Sequence, residues 1–232
     1  MGLVVVKDIE MYYESQGSGT PLVVIGGLGL EMSEMDTLID PLASRFRVVA
    51  FDNRGAGRSS KPRGPYAIEQ MADDVAGLMD RLNLPRAYML GISMGGRIAM
   101  ALALAHPERV DRLVLVSTGP RAVGARWLVR LGMLVSDLPL LRGRHRQPRY
   151  ALKAQFDATS RFDCTERLGE IDQPTLILHS RSDHVAPVAL AEQMRARIPD
   201  ARLILFEGGH LFTFTTAREQ FVADVDVFLT AS

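Results

Sequence analysis

The sequence predicts an α/β fold: a mostly parallel, eight-stranded sheet flanked by helices and interrupted once by a short helical insertion. Three observations carry that expectation. Short apolar runs, most rich in Val, Ile or Leu, alternate with longer helical patterns, the rhythm of buried strands joined by crossover helices. The two earliest runs are separated only by a short polar stretch, which suits an antiparallel hairpin at a sheet edge. The rhythm then lapses once, from about residue 121 to 161, where Gly124, Gly132, Pro139, Gly143 and Pro148 punctuate helical fragments such as 125–135.

Taken in order, Leu3–Val6 and Met11–Tyr13 form the expected hairpin, and Leu22–Ile25 and Val48–Phe51 are the next strands. Ile68, Met71, Val75, Leu78, Met79 and Leu82 recur at three- and four-residue spacings, so 68–82 reads as a helix with one apolar face against the sheet. Ala87–Leu90, Leu113–Val116, Thr175–Leu178 and Arg202–Phe206 complete the eight runs.

Composition narrows the function classes. With 232 residues, 47% of them hydrophobic, the chain suits one compact domain. The 27 basic side chains balance 27 acidic ones, which removes the broad attraction that non-specific binding to nucleic acid or anionic membranes requires. Neutrality hides polarity: residues 121–161 hold eight Arg and one Lys against Asp137 and Asp157. The plainer reading is a solvated insertion kept soluble by its arginines; the functional one is a cap that attracts acidic substrates. Cys164, the lone cysteine, closes no intrachain disulfide, and the apolar start is too short for a signal-peptide core, so the expected compartment is the cytoplasm. No run approaches the length of a membrane span, and the histidines lack metal-ligand spacing, so neither a membrane nor a metal or cofactor is implied.

The chemistry concentrates where an apolar strand meets Gly91-Ile92-Ser93-Met94-Gly95 and then a helix rich in Ala, Met and Leu. This G-x-S-x-G pattern places a serine on a sharp strand-to-helix turn at the carboxyl end of the sheet. The Met94 amide, at the start of the helix, is positioned to meet developing negative charge. A serine hydroxyl needs a base held by a third group. Of five histidines only His210 follows the last buried strand, in Phe206-Glu207-Gly208-Gly209-His210. Asp183 lies just past the Thr175–Leu178 strand and is the expected acid, ahead of Asp163 and Asp172, which precede it. The order Ser93, Asp183, His210 is that of one class of serine hydrolases. A second amide donor is expected from Gly26-Gly27-Leu28-Gly29, with Leu28 first and Gly27 second. A phosphate loop is the rival for these glycines, but no Gly-Lys-Ser/Thr follows.

On these residues, together with Phe51–Ser60 and Ala105–Val110, nearly the whole chain resembles the α/β-hydrolase fold superfamily, in particular its small cofactor-free esterases, 3-oxoadipate enol-lactone hydrolases and non-haem haloperoxidase-type members. The resemblance implies a core of residues 1–118 and 173–232 and a cap of 119–172, shorter than the helical caps usual in relatives. It gives Asp52 and Arg54 a supporting rather than a catalytic part. Two positions depart from the pattern: Gly26 stands where many relatives have His, and Ser180 where Gly commonly lies three residues before the acid. Gly27 of the glycine loop and, in the cap, Trp127, Leu128, Leu131, Met133 and Leu134 are candidates to line an acyl pocket, although a helix of that spacing more often simply packs down. The implied activity is hydrolysis of a small carboxylic ester or lactone through an acyl-serine, by a monomer or homodimer. Carbon–carbon bond hydrolysis and cofactor-free perhydrolysis use the same triad, and a hydrolase-fold ligand receptor is the non-enzyme alternative.

Overall fold

A computed structural model describes residues 1–123, 145, 147–215 and 217–231. The expected helix 125–135, and with it Trp127, Leu128, Leu131, Met133 and Leu134, lies outside the described residues.

The strands are β1 (Gly2–Val6), β2 (Ile9–Gln16), β3 (Pro21–Ile25), β4 (Arg47–Phe51), β5 (Ala87–Ile92), β6 (Val110–Val116), β7 (Thr175–Ser180) and β8 (Ala201–Phe206). They form one eight-stranded sheet in the order β1-β2-β4-β3-β5-β6-β7-β8. As expected, β1 and β2 make an antiparallel edge hairpin, turned by Lys7 and Asp8 between the paired Val6 and Ile9. β2 runs antiparallel to β4, and every other pairing is parallel.

Alternation along the strands divides the core between two faces. Val23, Ile25, Val49, Phe51, Leu113 and Leu115 pack with the apolar sides of α2 (Ile68–Arg81), α3 (Met94–Ala105) and α5 (Val188–Arg197). Leu22, Val24, Val48, Ala50, Val114 and Val116 pack with α1 (Asp36–Ala43) and α6 (Arg218–Thr230). The remaining helix, α4 (Arg149–Arg161), lies between β6 and β7 in the chain. Among the described residues no helix is long and apolar enough to cross a membrane.

The segment after β4 is held by buried charge. Arg54 is 2% exposed and donates from Nε and Nη2 to Asp74, itself 2% exposed, at 2.8 and 2.9 Å, and to the more exposed Asp8 at 2.8 and 3.0 Å. Burial works against the guanidinium charge, but the hydrogen bonds to the two carboxylates outweigh it and raise the Arg54 pKa. Asp52 accepts from the Met32 and Arg58 amides at 2.8 and 2.7 Å, and Asn53 donates to the Gly26 carbonyl at 3.0 Å. Consecutive polar residues thus tie the loop after β4 to the one after β3.

Removing one partner of a buried ion pair leaves the other charge stranded, so Asp74→Asn is expected to lower unfolding free energy by about 3 kcal/mol. Asp8→Asn, at a carboxylate 58% exposed, is expected to cost under about 1 kcal/mol. Urea denaturation of the two variants measures the contrast.

Candidate active site

Ser93 stands between the end of β5 and the start of α3 at φ 55° and ψ −113°, a region that residues with a side chain seldom occupy. The turn exists because its neighbours let backbones approach. A Cβ on Gly91 would strike the Gly95 carbonyl, and one on Gly95 would strike the carbonyl of Ile25 in β3. The Ser93 amide donates to the Val116 carbonyl at 2.8 Å, and Thr118 Oγ1 donates back to the Ser93 carbonyl at 2.7 Å, so β6 braces the turn from the other side.

The three residues singled out from the sequence meet. His210 Nε2 lies 2.9 Å from Ser93 Oγ, and His210 Nδ1 lies 2.7 Å from Asp183 Oδ2. Because an ionised carboxylate only accepts, Nδ1 carries a proton, which leaves Nε2 of the neutral ring to accept the serine proton. The other Asp183 oxygen accepts from the Val185 and Ala186 amides, each at 2.8 Å. Burial alone would raise the Asp183 pKa; the His210 hydrogen bond and charge, with the two amides, overcome it and hold the carboxyl below its ordinary value.

Sequence reasoning did not foresee what holds this arrangement. Ser180 Oγ donates to the Gly208 carbonyl, linking the loop that carries Asp183 to the one that carries His210. A glycine at 180 has no hydroxyl with which to do so. The other histidines are engaged elsewhere or exposed: His106 with Asp73, His145 with Glu31, and His184 at the surface. His179 is fully buried, donates from Nε2 to the Ala186 carbonyl at 2.7 Å and is pushed by burial toward its neutral form.

On the opposite side of Ser93 is the glycine loop after β3. A Cβ on Gly27 would lie 3.4 Å from the Ser93 Cβ. Gly29 N–H donates to Gln155 Oε1 at 3.0 Å and Leu30 N–H to the Gly27 carbonyl at 3.3 Å, so neither bond consumes the Leu28 amide between them. The Met94 amide is in the first turn of α3, where a helix leaves its N–H groups without internal acceptors. Gln155, wholly buried on α4, also donates to the Arg54 carbonyl at 2.8 Å and so joins α4 to both loops. Its signal was a lone amide on the buried face formed by Ala151, Ala154 and Ala158.

A cavity of about 60 Å³ opens against Ser93, Met94, His210 and Leu28; its wall includes Arg97, Ser117 and, from α4, Phe156 and Thr159. Gly27 is beside the serine rather than in that wall. Among the described residues no cluster of His, Cys, Asp and Glu suits a metal ion.

A mostly parallel sheet carrying a serine on a glycine-flanked turn, with a histidine and an aspartate brought to it from later strand ends, defines a class of hydrolases. A family model described as alpha/beta hydrolase fold matches residues 20–149, and the chain belongs to that family. It is 30% identical over 241 residues to a protein named as a carbamate hydrolase, RutD, of Azorhizobium caulinodans, covering 90% of this chain and 91% of that one. It is also 30% identical to a pimeloyl-[acyl-carrier protein] methyl ester esterase of Nitrosomonas europaea, over 94% of this chain and 98% of the relative. The enol-lactonase from Burkholderia xenovorans LB400 superposes with a TM-score of 0.86 at 26% identity, covering 99% of this chain and 100% of that structure.

The depressed Asp183 pKa sets the sign of an acid effect. The stability it contributes is complete above its ordinary value of 3.8 and is lost as pH falls through the lower folded value. Urea midpoints of wild type and Asp183→Asn are therefore expected to differ most above pH 3.8 and to converge below it.

Proposed function

We propose that this protein hydrolyses a carboxylic ester or lactone of a small substrate through an acyl-serine intermediate. The observation that carries the reading is the continuous path from Ser93 Oγ through the His210 ring to Asp183, with contacts of 2.9 and 2.7 Å. Ser93 Oγ attacks the carbonyl carbon as its proton passes to His210 Nε2. Asp183 orients the ring and stabilises its charged form without taking the proton. The carbonyl oxygen gains negative charge, and the Leu28 and Met94 amides are the donors proposed to meet it. Collapse of the tetrahedral species breaks the bond to the alkoxy oxygen, which takes the proton from His210 and leaves; in a lactone it remains tethered. Water then attacks the acyl-serine with His210 again as base, releasing the acid and restoring Ser93.

Residues 1–118 and 173–232 serve in this reading as the catalytic core and 119–172 as a cap. Phe156 and Thr159 of α4 lining the cavity, and Gln155 reaching the glycine loop, support that division. A cavity of about 60 Å³ favours short acyl groups.

Treatment with a fluorophosphonate is expected to add one adduct to the intact mass of wild type and none to Ser93→Ala or His210→Ala. Ser93→Ala should lose at least about 10³-fold in kcat on short-chain p-nitrophenyl esters. Unchanged turnover in that variant would overturn the reading. Gln155→Leu, which frees the glycine loop without touching the triad, is expected to lower kcat by about tenfold with KM little changed, as measured by steady-state kinetics.

A further inference from the structure

His179 interrupts an otherwise buried strand with an imidazole. It lies near the end of β7, Thr175-Leu176-Ile177-Leu178-His179-Ser180, and is 0% exposed. By strand alternation it shares a face with Ile177, on the side of the sheet whose core includes Ala191 and Met194 of α5. Burial holds the ring neutral. A polar group in such surroundings is costly unless it is hydrogen-bonded. The partner is the Ala186 carbonyl, 2.7 Å from Nε2, and because a carbonyl only accepts, Nε2 carries the ring proton.

That carbonyl belongs to the turn that carries the acid. The Val185 and Ala186 amides both donate to Asp183 Oδ1 at 2.8 Å, and Pro187 caps α5 directly afterwards. The bonds of α5 begin at the Pro187 carbonyl, which accepts from the Leu190 amide at 2.9 Å, so the helix does not hold the Ala186 carbonyl that precedes it. Ala186 is therefore gripped twice, by the acid at its N–H and by His179 at its C=O. Val185 and Ala186 also line the cavity beside Ser93, whereas His179 is not part of that wall. His179 Nε2 lies 3.7 Å from Asp183 Oδ2, the oxygen that accepts from His210 Nδ1 at 2.7 Å. Two imidazoles thus approach one carboxylate oxygen: the first is bonded to it, and the second is bonded to the backbone that aims it.

We propose that His179 is a positioning residue for hydrolysis: through the Ala186 carbonyl it fixes the turn that presents Asp183 to His210, and so extends the path from Ser93 by a fourth side chain. This rests on the acyl-serine reading and deepens it. A misplacement of about 1 Å away from the chemistry can cost about 10²-fold in rate, so a bond that holds the acid in place has a catalytic consequence although His179 touches no substrate. The part requires a neutral N–H at one point and no charge. Glutamine supplies that donor at nearly the reach of imidazole Nε2, leucine fills similar space without it, and the amide of asparagine stops short.

His179→Leu is expected to lower kcat/KM on a short-chain p-nitrophenyl ester by at least about tenfold, and His179→Gln to stay close to wild type. In His179→Leu the acid limb of the kcat/KM profile, which reports the catalytic base, is expected to move to lower pH, because a loosely held carboxylate stabilises the imidazolium less. Replacing a neutral ring removes no charge, so a merely structural part leaves that limb in place. In an Asp183→Ala background the further loss from His179→Leu is expected to vanish, since the effect passes through the acid. The downfield proton resonance of His210 Nδ1–H is expected in wild type and His179→Gln, and shifted upfield or broadened in His179→Leu. Should His179→Leu fail to fold, His179→Asn has the same expected outcomes. Losses that add fully to Asp183→Ala, a pH limb and resonance that ignore the substitution, or a His179→Gln variant as impaired as His179→Leu overturn the inference. A resonance that responds to His179→Leu in a protein whose wild type hydrolyses no ester counts against the acyl-serine reading and leaves the positioning of Asp183 standing.

Discussion

Ser93 occupies a backbone conformation that its own chemistry does not favour, and the surrounding structure makes that conformation compulsory. The left-handed φ of 55° survives because α3 lies so close to β3 that residue 95 has no room for a side chain, while Val116 at the end of β6 and Thr118 just past it hold the turn. The central strands and the first turn of α3 therefore have to be in register before the hydroxyl can project from the sheet end. Backbone strain of this sort costs about 1–3 kcal/mol and persists only where packing over-determines it. Here two interleaved cores, one on each face of the sheet, supply that packing.

Around this fixed point the loops are joined to one another more than to solvent. Asn53 links the β4 loop to Gly26, Ser180 links the β7 loop to Gly208, and Gln155 reaches from α4 to Gly29 and Arg54. Each bond connects residues distant in sequence, so each limits the relative motion of two site-bearing segments. His179 adds a neutral donor behind the aspartate: by engaging the Ala186 carbonyl it steadies the backbone whose amide in turn holds Asp183. The departures of Gly26 and Ser180 from the pattern of relatives have local explanations. Gly26 serves as a carbonyl acceptor with Met35 packed close by, and Ser180 acts as a cross-link.

The architecture was largely legible because strand burial writes itself into apolar runs. All eight runs are strands of one sheet, and the helix expected over 68–82 spans Ile68–Arg81. The errors are at ends. β2 extends to Gln16 and β5 to Ile92, because ladder hydrogen bonds need only backbone: Ser15 pairs with Val49 and Gly91 with Leu115, whatever their side chains. For the site, the sequence indicated Ser93, Asp183 and His210, since motif and strand order both bear on those positions, and the three are in hydrogen-bond contact. It did not reveal Gln155. A lone amide on an apolar helix face marks a polar contact but not its partner, which for Gln155 is Gly29, 126 residues away in the chain.

The Gln155 bridge also ties geometry to traffic. One side chain accepts from the glycine loop while donating to the loop after β4, so α4 cannot lift from the core without surrendering both bonds at once. The position of Gly29, in the loop beside the serine, thus depends on how the helix above it is seated.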